Sequence, residues 1–505
     1  MTSSFRSTLL SSLSLGLIAV ATPALAQEAA PVAPAPETAP APETAPAPEA
    51  APPAAEPVAE APPVEAAPEP APAPVAEPVP APPVAAPEAP PEPSLSPLKV
   101  GTSTFSRFEY RENYDELGVA PPTNPARARF REGDTTVFRS RLTFQTNELD
   151  LGGIKGSIYF APQASGTWGT SGTGGTIGEA NVGIYEGYFK MAGDALTFKA
   201  GRFAMNYGDA LVIGNLDWHQ SGRAFDGAHF SLKAGKSTID AFFTQEASGW
   251  PTQAEPFLAG DAFFWGAYGM FGPSISETLE LDVYALAKSW GASNVTTTDA
   301  AGATVETHQD AATFVTVGAR AKQKLGVFDY RAEADLQFGK TQAVAGDALK
   351  KLGYQGDLEL GIAPVKAFRV SLGGVIASGN DPGSTDKDES YDELFPTTHK
   401  WLGLMDVIGV RTNVVSAVVK TQIQIGETIG LNVDGHMYLR PEDGGLGRVN
   451  NDQDLAGFEV NAGLAKKLGK AGLVRGLYGI FIPGKDHYAS NVSAHFLEIE
   501  AGMRF

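Results

Sequence analysis

The chain ends on an alternating strand, and that strand limits the fold more than any other feature. Ser493 to Phe505 read SAHFLEIEAGMRF. From Leu497 onward, Leu497, Ile499, Ala501, Met503 and Phe505 share one face, while Glu498, Glu500 and Arg504 share the other. A strand that is apolar outward, charged inward and aromatic at its carboxy terminus suits the closing strand of an outer-membrane β-barrel. Two partners follow as expectations: outer-membrane lipids around the wall, and the barrel assembly machinery, engaged through the strand ending in Phe505.

The opposite end agrees. Residues 1–26 combine Arg6, an apolar run from Leu9 to Val20 and the small-x-small site Ala24-Leu25-Ala26. This is the layout of a cleaved secretory signal, with an apolar core too short to cross a bilayer as a helix. No Cys stands near the site, which argues against a lipoprotein, and the chain has no Cys at all. Disulfides, thiolate metal sites and Cys nucleophiles are thereby excluded.

Residues 27–96 are almost entirely Pro, Ala, Glu and Val, with eleven Glu and no Lys or Arg. Such a segment has nothing to bury and is expected to stay disordered and extended, as a periplasmic linker. The formal net charge is −20. The linker carries −11 of it and Arg6 carries +1, so residues 97–505 carry −10. An acidic domain without a basic stripe is a poor partner for nucleic acid.

Residues 97–505 read as eighteen strands. They lie near 98–112, 134–148, 154–165, 181–190, 195–205, 220–233, 237–246, 260–272, 278–290, 311–323, 327–339, 352–363, 366–378, 411–424, 428–440, 455–468, 473–482 and 493–505. The eleventh is the clearest: Phe328, Tyr330, Ala332, Ala334, Leu336 and Phe338 alternate with Asp329, Arg331, Glu333, Asp335 and Gln337. Connections after even-numbered strands are short and those after odd-numbered strands are generally longer, the longest spanning about 379–410. That asymmetry belongs to an outer-membrane barrel, and an even strand number puts both termini in the periplasm. A barrel this wide cannot fill its lumen with wall side chains alone and leaves an aqueous channel unless loops plug it.

Strand parity assigns the charged faces to the lumen. The first six strands lean basic, while the eleventh, twelfth and eighteenth lean acidic. Opposed walls of this kind set up a transverse field for charged solutes. Arg107, Arg111, Arg139 and Arg141 form the main expected anion-attracting patch, and Arg331 and Arg369 also face inward. Arginine holds carboxylates through paired hydrogen bonds. The competing reading is that these charges pair with each other and only solvate the wall.

Two blocks carry a family likeness. The first runs Gly201-Arg202-Phe203, Asn206-Tyr207-Gly208-Asp209, Leu211 to Trp218, and Arg223-Ala224-Phe225-Asp226-Gly227. The second is Asp392 to Asp406, DELFPTTHKWLGLMD. In order and spacing they resemble the alginate-export family of outer-membrane porins, and the likeness covers most of residues 98–505. It implies an eighteen-stranded barrel that passes an anionic polysaccharide such as alginate, or smaller anionic solutes, through an Arg-lined lumen. It also implies a lumen or loop-anchoring role for Arg202, Asp209, Asp217, Arg223 and Asp226. A salt-bridged scaffold holding loop 206–219 against the wall is the alternative. Arg202 lies off the inward parity of Lys199, so a lumen role there needs a bulge.

The remaining constellations are weaker. Asp381, Asp386, Asp388 and Glu389 crowd one loop with Asp392 and Glu393 and offer oxygen ligands for Ca²⁺, though not at EF-hand spacing. A solvated acidic loop is the other reading. His219 and His436 suggest a hydrolase only if a third group orients the base, and no spacing supplies one. The Gly-rich stretch at 170–178 lacks the following helix and Lys-Ser/Thr of a phosphate loop. Besides a channel, a tether remains open, with the barrel as anchor and the linker reaching a periplasmic partner or the cell wall.

Overall fold

The computed structural model describes residues 98–117, 133–170, 176–245, 262–298, 304–343, 346–443, 449–450 and 452–505. The segments expected to be a signal (1–26) and a linker (27–96), and residues 171–175 of the Gly-rich stretch, lie outside the described residues. Eighteen antiparallel strands build one wall. They are β1 (Lys99–Glu112), β2 (Gly133–Gln145), β3 (Lys155–Thr170), β4 (Thr176–Ala192), β5 (Leu196–Phe203) and β6 (Phe225–Ala234). Next come β7 (Ser237–Gln245), β8 (Ala262–Met270), β9 (Leu279–Trp290), β10 (Ala312–Leu325), β11 (Phe328–Thr341) and β12 (Leu349–Val365). The last six are β13 (Phe368–Ala377), β14 (Val414–Ile425), β15 (Ile429–Leu439), β16 (Leu455–Leu468), β17 (Gly472–Pro483) and β18 (Ala494–Arg504).

Each strand pairs with its sequence neighbour, and β1 pairs with β18 from Ser103↔Arg504 to Glu112↔His495. The sheet is thus a closed barrel with no free edge, the one sheet form that can sit in lipid. The chain's last residue takes part: the Thr102 amide donates to the Phe505 carbonyl at 2.7 Å, and the Phe505 amide to the Thr102 carbonyl at 3.1 Å.

The wall alternates as read from the sequence. In β11, Arg331, Glu333, Asp335 and Gln337 are buried inside, whereas Leu336 and Phe338 are exposed outside. Ile158, Val182, Phe189, Leu358, Leu372 and Ile499 extend the outer apolar band around the barrel. The connections sort by parity as well. Short turns follow the even strands, as at 235–236, 326–327 and 366–367; long loops follow odd ones, as at 113–132, 204–224 and 378–413. In the turn at 326–327, Gly326 has φ +66°, the left-handed conformation that a two-residue hairpin turn demands.

Three strand boundaries and one face differ from the sequence reading. β3 runs on to Thr170 and β4 starts at Thr176, both within the Gly-rich stretch read as lying between strands. Residues 220–224 belong to the preceding loop and not to β6, where Gly222 turns the chain at φ +70°. The inner face is also not uniformly polar. Phe203, Phe225, Phe242, Phe264, Tyr268, Tyr284 and Phe314 point inward from β5–β10 and are almost fully buried. A second buried cluster gathers Val375, Val414, Tyr438, Phe481 and Phe496 from the opposite arc of wall strands. Bare aromatic walls would be costly in a water-filled lumen, and two loops cover them.

Candidate functional site

Both covering loops fold into the lumen from the end where the long connections lie. The loop between β5 and β6 sends Met205, Tyr207, Leu211, Val212 and Ile213 onto the aromatic wall. Tyr207 stacks on Tyr268 at 4.3 Å, and its hydroxyl donates to Asp240 at 2.9 Å. The loop between β13 and β14 adds Leu394, Phe395 and Trp401 to the same cluster, and Leu402, Met405, Val407 and Ile408 to the second. The loops also zip to each other: Gly214 N donates to Phe395 O at 2.8 Å, Phe395 N to Val212 O at 3.0 Å and Thr397 N to Ala210 O at 2.9 Å. Phe395 wedges against Phe264 and Phe225, with ring centroids 4.6 and 5.1 Å away. Each buried phenylalanine contributes about 1.5–3 kcal/mol to that docking.

The backbone is strained where the loops turn. Ala210, Leu216, Leu394, Asp406 and Asn413 all have φ between +47° and +64°. Non-glycine residues rarely hold this conformation unless their surroundings impose it.

The expected arginine patch does converge on the inner wall, but it grips a loop. Arg139 donates to the carbonyls of Asp217 and His219 at 2.8 and 3.2 Å and pairs with the Asp217 carboxylate at 3.0 Å. Arg141 reaches the same carboxylate at 3.1 Å and donates to Gln163. Arg107 donates to the Trp218 carbonyl at 2.8 Å and lies 4.0 Å from the Trp218 ring. It is also held by Glu109 at 2.7 Å and by Glu500 at 3.4 Å, while Arg111 pairs with Glu109 at 2.8 Å. Burial opposes the charge on Asp217, yet Arg139 and Arg141 hold its carboxyl below the usual range.

The other motif residues fall in three places. Asp209, at the loop tip, accepts from Arg320 at 2.8 Å and Lys322 at 2.9 Å. Burial pushes its carboxyl up, but these two partners outweigh it and bring the pKa to about 2. Arg223 ties the loops together, donating to the carbonyls of Gly214 and Pro396 at 3.1 and 3.0 Å. Arg202 and Asp226 are opposite one another across β5 and β6, next to the inward pair Phe203 and Phe225. They therefore point out of the barrel, where they form an ion pair of 2.6 Å. The lumen role expected for these two is corrected by simple parity, with no bulge to override it.

The acidic loop gathers no ligand set. Asp381 caps the Gly383 amide, Asp386 and Asp388 face Lys350 and Lys351, and Glu389 faces Lys387. Among the described residues no group of three His, Cys, Asp or Glu is placed to hold a metal ion. The Ca²⁺ expectation is corrected accordingly: neighbouring lysines and backbone amides disperse the carboxylates.

Two cavities among the described residues open on the lumen. The larger, about 1310 Å³, lies toward the turn end and is lined by Lys322, Arg331, Arg369, Lys400 and Lys420 with Asp209, Asp329, Glu359 and Asp434. Arg331 pairs with Asp357, and Arg369 with Asp329 and Glu359. The smaller, about 340 Å³, lies among Trp218, His399, Asn461 and Arg475. Lys400, Asn432 and Asp434 are in both walls. His399 stacks on Trp218 at 3.9 Å and is held by Asp406 at 2.9 Å. The inward aromatics of β5–β10 were not foreseen, and Glu459, inward by parity, accepts from the Met405 amide at 3.1 Å, a loop contact that parity does not predict. A usable signal was present: β8 begins Ala262-Phe263-Phe264-Trp265, apolar on both faces, as in strands covered on two sides.

The family model described as alginate export matches residues 178–478, most of the wall and both inward loops. No protein of curated function matches the chain in sequence. Among solved structures, Acinetobacter baumannii OccAB1 is similar, with TM-score 0.55 and 11% identity over 80% of this chain and 96% of that one. Pseudomonas aeruginosa OccK1 (OpdK) gives TM-score 0.52 and 12% identity over 81% and 98%. Pseudomonas aeruginosa OccK2 (OpdF), solved in complex with glucuronate, gives 0.52 and 11% over 81% and 96%. At these identities the likeness is one of fold.

Proposed function

Because this chain belongs to the alginate export family, a family of outer-membrane porin-like channels, we propose that it passes small hydrophilic solutes, carboxylates foremost, by passive diffusion. The observation that carries this reading is the lumen itself. Two loops narrow the barrel without filling it, leaving cavities of about 1310 and 340 Å³ that share Lys400, Asn432 and Asp434. Charged walls around water favour hydrated ionic solutes over apolar ones. The short turns, the start of β1 and the end of β18 then face the periplasm.

The arginines that look like a free anion wall are committed to Asp217 and to loop carbonyls, which favours weak over strong anion preference. A polymer such as alginate is the second reading, supported by family membership. It requires the two loops to leave the lumen, since they bridge it through Phe395 and Gly214.

Single-channel recording of the mature full chain in a planar bilayer tests the reading. Discrete conductance steps with a small reversal potential under a salt gradient are expected. A heat-modifiable, folded barrel that never conducts would overturn it.

A further inference from the structure

The junction between the two cavities differs from the walls on either side. Deep in the larger cavity the cations are spent: Lys322 on Asp209 at 2.9 Å, Arg369 on Glu359 at 2.9 Å, Lys420 on Glu359 at 3.0 Å and Arg331 on Asp357. Lys400 is not. Its ammonium donates to a backbone carbonyl, that of Asp209, at 3.0 Å, and has no carboxylate at ion-pair distance among the described residues. Asp434, in the same two cavity walls, has no hydrogen bond or ion pair to any described residue. Two residues before Asp434 on β15, the exposed Asn432 lines both cavities as well. One unspent cation and one unspent anion thus line the wall common to both cavities from different elements, Lys400 from the inward loop and Asp434 from β15.

We propose that this junction is a binding station for small zwitterions, with a carboxylate facing Lys400, an ammonium facing Asp434 and the Asn432 amide alongside. The proposal rests on the channel reading and names its solute class: compounds carrying one carboxylate and one ammonium, as amino acids and short peptides do. A simple anion gains Lys400 but meets Asp434 in the same space. A simple cation meets the reverse. A zwitterion answers both charges at once. Lys400 is held ready by the Trp401 ring, 4.8 Å beneath it, and Trp401 is fixed in turn by Arg331 at 4.2 Å.

The test uses the mature full chain in proteoliposomes, with uptake of γ-aminobutyrate, butyrate and n-butylammonium compared as a size-matched set. Wild type should admit γ-aminobutyrate about fivefold faster than either singly charged partner, the factor of one weak water-screened ion pair. Asp434→Asn should bring butyrate to the front, and Lys400→Glu should bring n-butylammonium to the front. Both side chains are solvent-reached and outside the buried clusters, and heat-modifiability confirms folding of each variant. If both variants keep the wild-type order, or if wild type sorts the three solutes by size alone, the station is overturned while the channel stands. If none of the three enters beyond empty liposomes and no conductance is seen, the channel reading itself falls.

Discussion

The loop between β5 and β6 is held at its two ends by different physics. Its first half, Met205 to Ile213, is buried against phenylalanines and tyrosines of β5–β10. Its second half, Asp217 to Ser221, hangs on hydrogen bonds from Arg107, Arg139 and Gln163 to the carbonyls of Trp218, Asp217, His219 and Ser221. Apolar docking is strong and insensitive to salt or pH, but its wall is lost to the pore. Arginine docking also occupies the wall, yet it leaves Trp218 beside an open cavity. An inward-facing residue is therefore not automatically a pore-lining residue, and the arginines that look most like a solute patch are the clearest instance.

Breaking the apolar half should have the largest effect. Phe395→Ala empties the wedge between Phe225 and Phe264 and is expected to cost about 3–5 kcal/mol of loop docking. Wall pairing is untouched, so the barrel should stay heat-modifiable while single-channel conductance rises and becomes noisier. Unchanged conductance would mean that the loops do not set the constriction.

Arg139→Gln weakens the other half. It removes two charged hydrogen bonds to carbonyls and one ion pair, about 2 kcal/mol together after allowing for the exposed Asp217. Hydrogen exchange should accelerate at residues 215–221 and stay slow at 205–213. Equal acceleration in both halves would show that the loop undocks as a unit.

Acid probes the polar tip within the first half. Asp209 has its pKa depressed to about 2 by Arg320 and Lys322, so its contribution is present above the ordinary carboxylate value near ~4 and is lost as pH falls from there through about 2. The stake is on the order of 2 kcal/mol. Channel noise should be flat between pH 7 and 5 and rise toward pH 3. Asp209→Asn should show the acid behaviour at neutral pH and lose the pH dependence.

The smallest effect belongs outside the lumen. Removing the Arg202–Asp226 pair with Arg202→Gln and Asp226→Asn should change stability by less than about 1 kcal/mol, as for other partly exposed pairs. Reversal potential should not move. A changed ion preference would place these side chains in the conduction path after all.

Much of this architecture is legible in the sequence because lipid imposes it. Leu336 and Phe338 must alternate with Asp335 and Gln337 when one face meets hydrocarbon, and the outward face of the wall follows that rule. The lumen imposes no such rule. Phe242 and Phe243 are equally apolar, yet one docks a loop and the other faces lipid, and only the loop's path through the barrel tells them apart. For the same reason the motif residues could be found while their partners could not. Asp209 and Arg320 are 111 positions apart, and their meeting depends on where a loop comes to rest.

The seam between β1 and β18 has a consequence for how the molecule is made. Arg107 and Glu500 are 393 positions apart and form part of a largely enclosed charge cluster with Glu109 and Glu498. Until the final strand arrives, that arginine lacks its last two carboxylates and the first strand presents an unpaired edge. Contacts of such high order are slow to form, because loop-closure entropy must be met before any of them stabilises the fold. The rate-limiting event in folding should therefore be the meeting of the two terminal strands. The stability lost by changes at Glu498 or Glu500 should therefore appear mainly as slower assembly and little as faster unfolding.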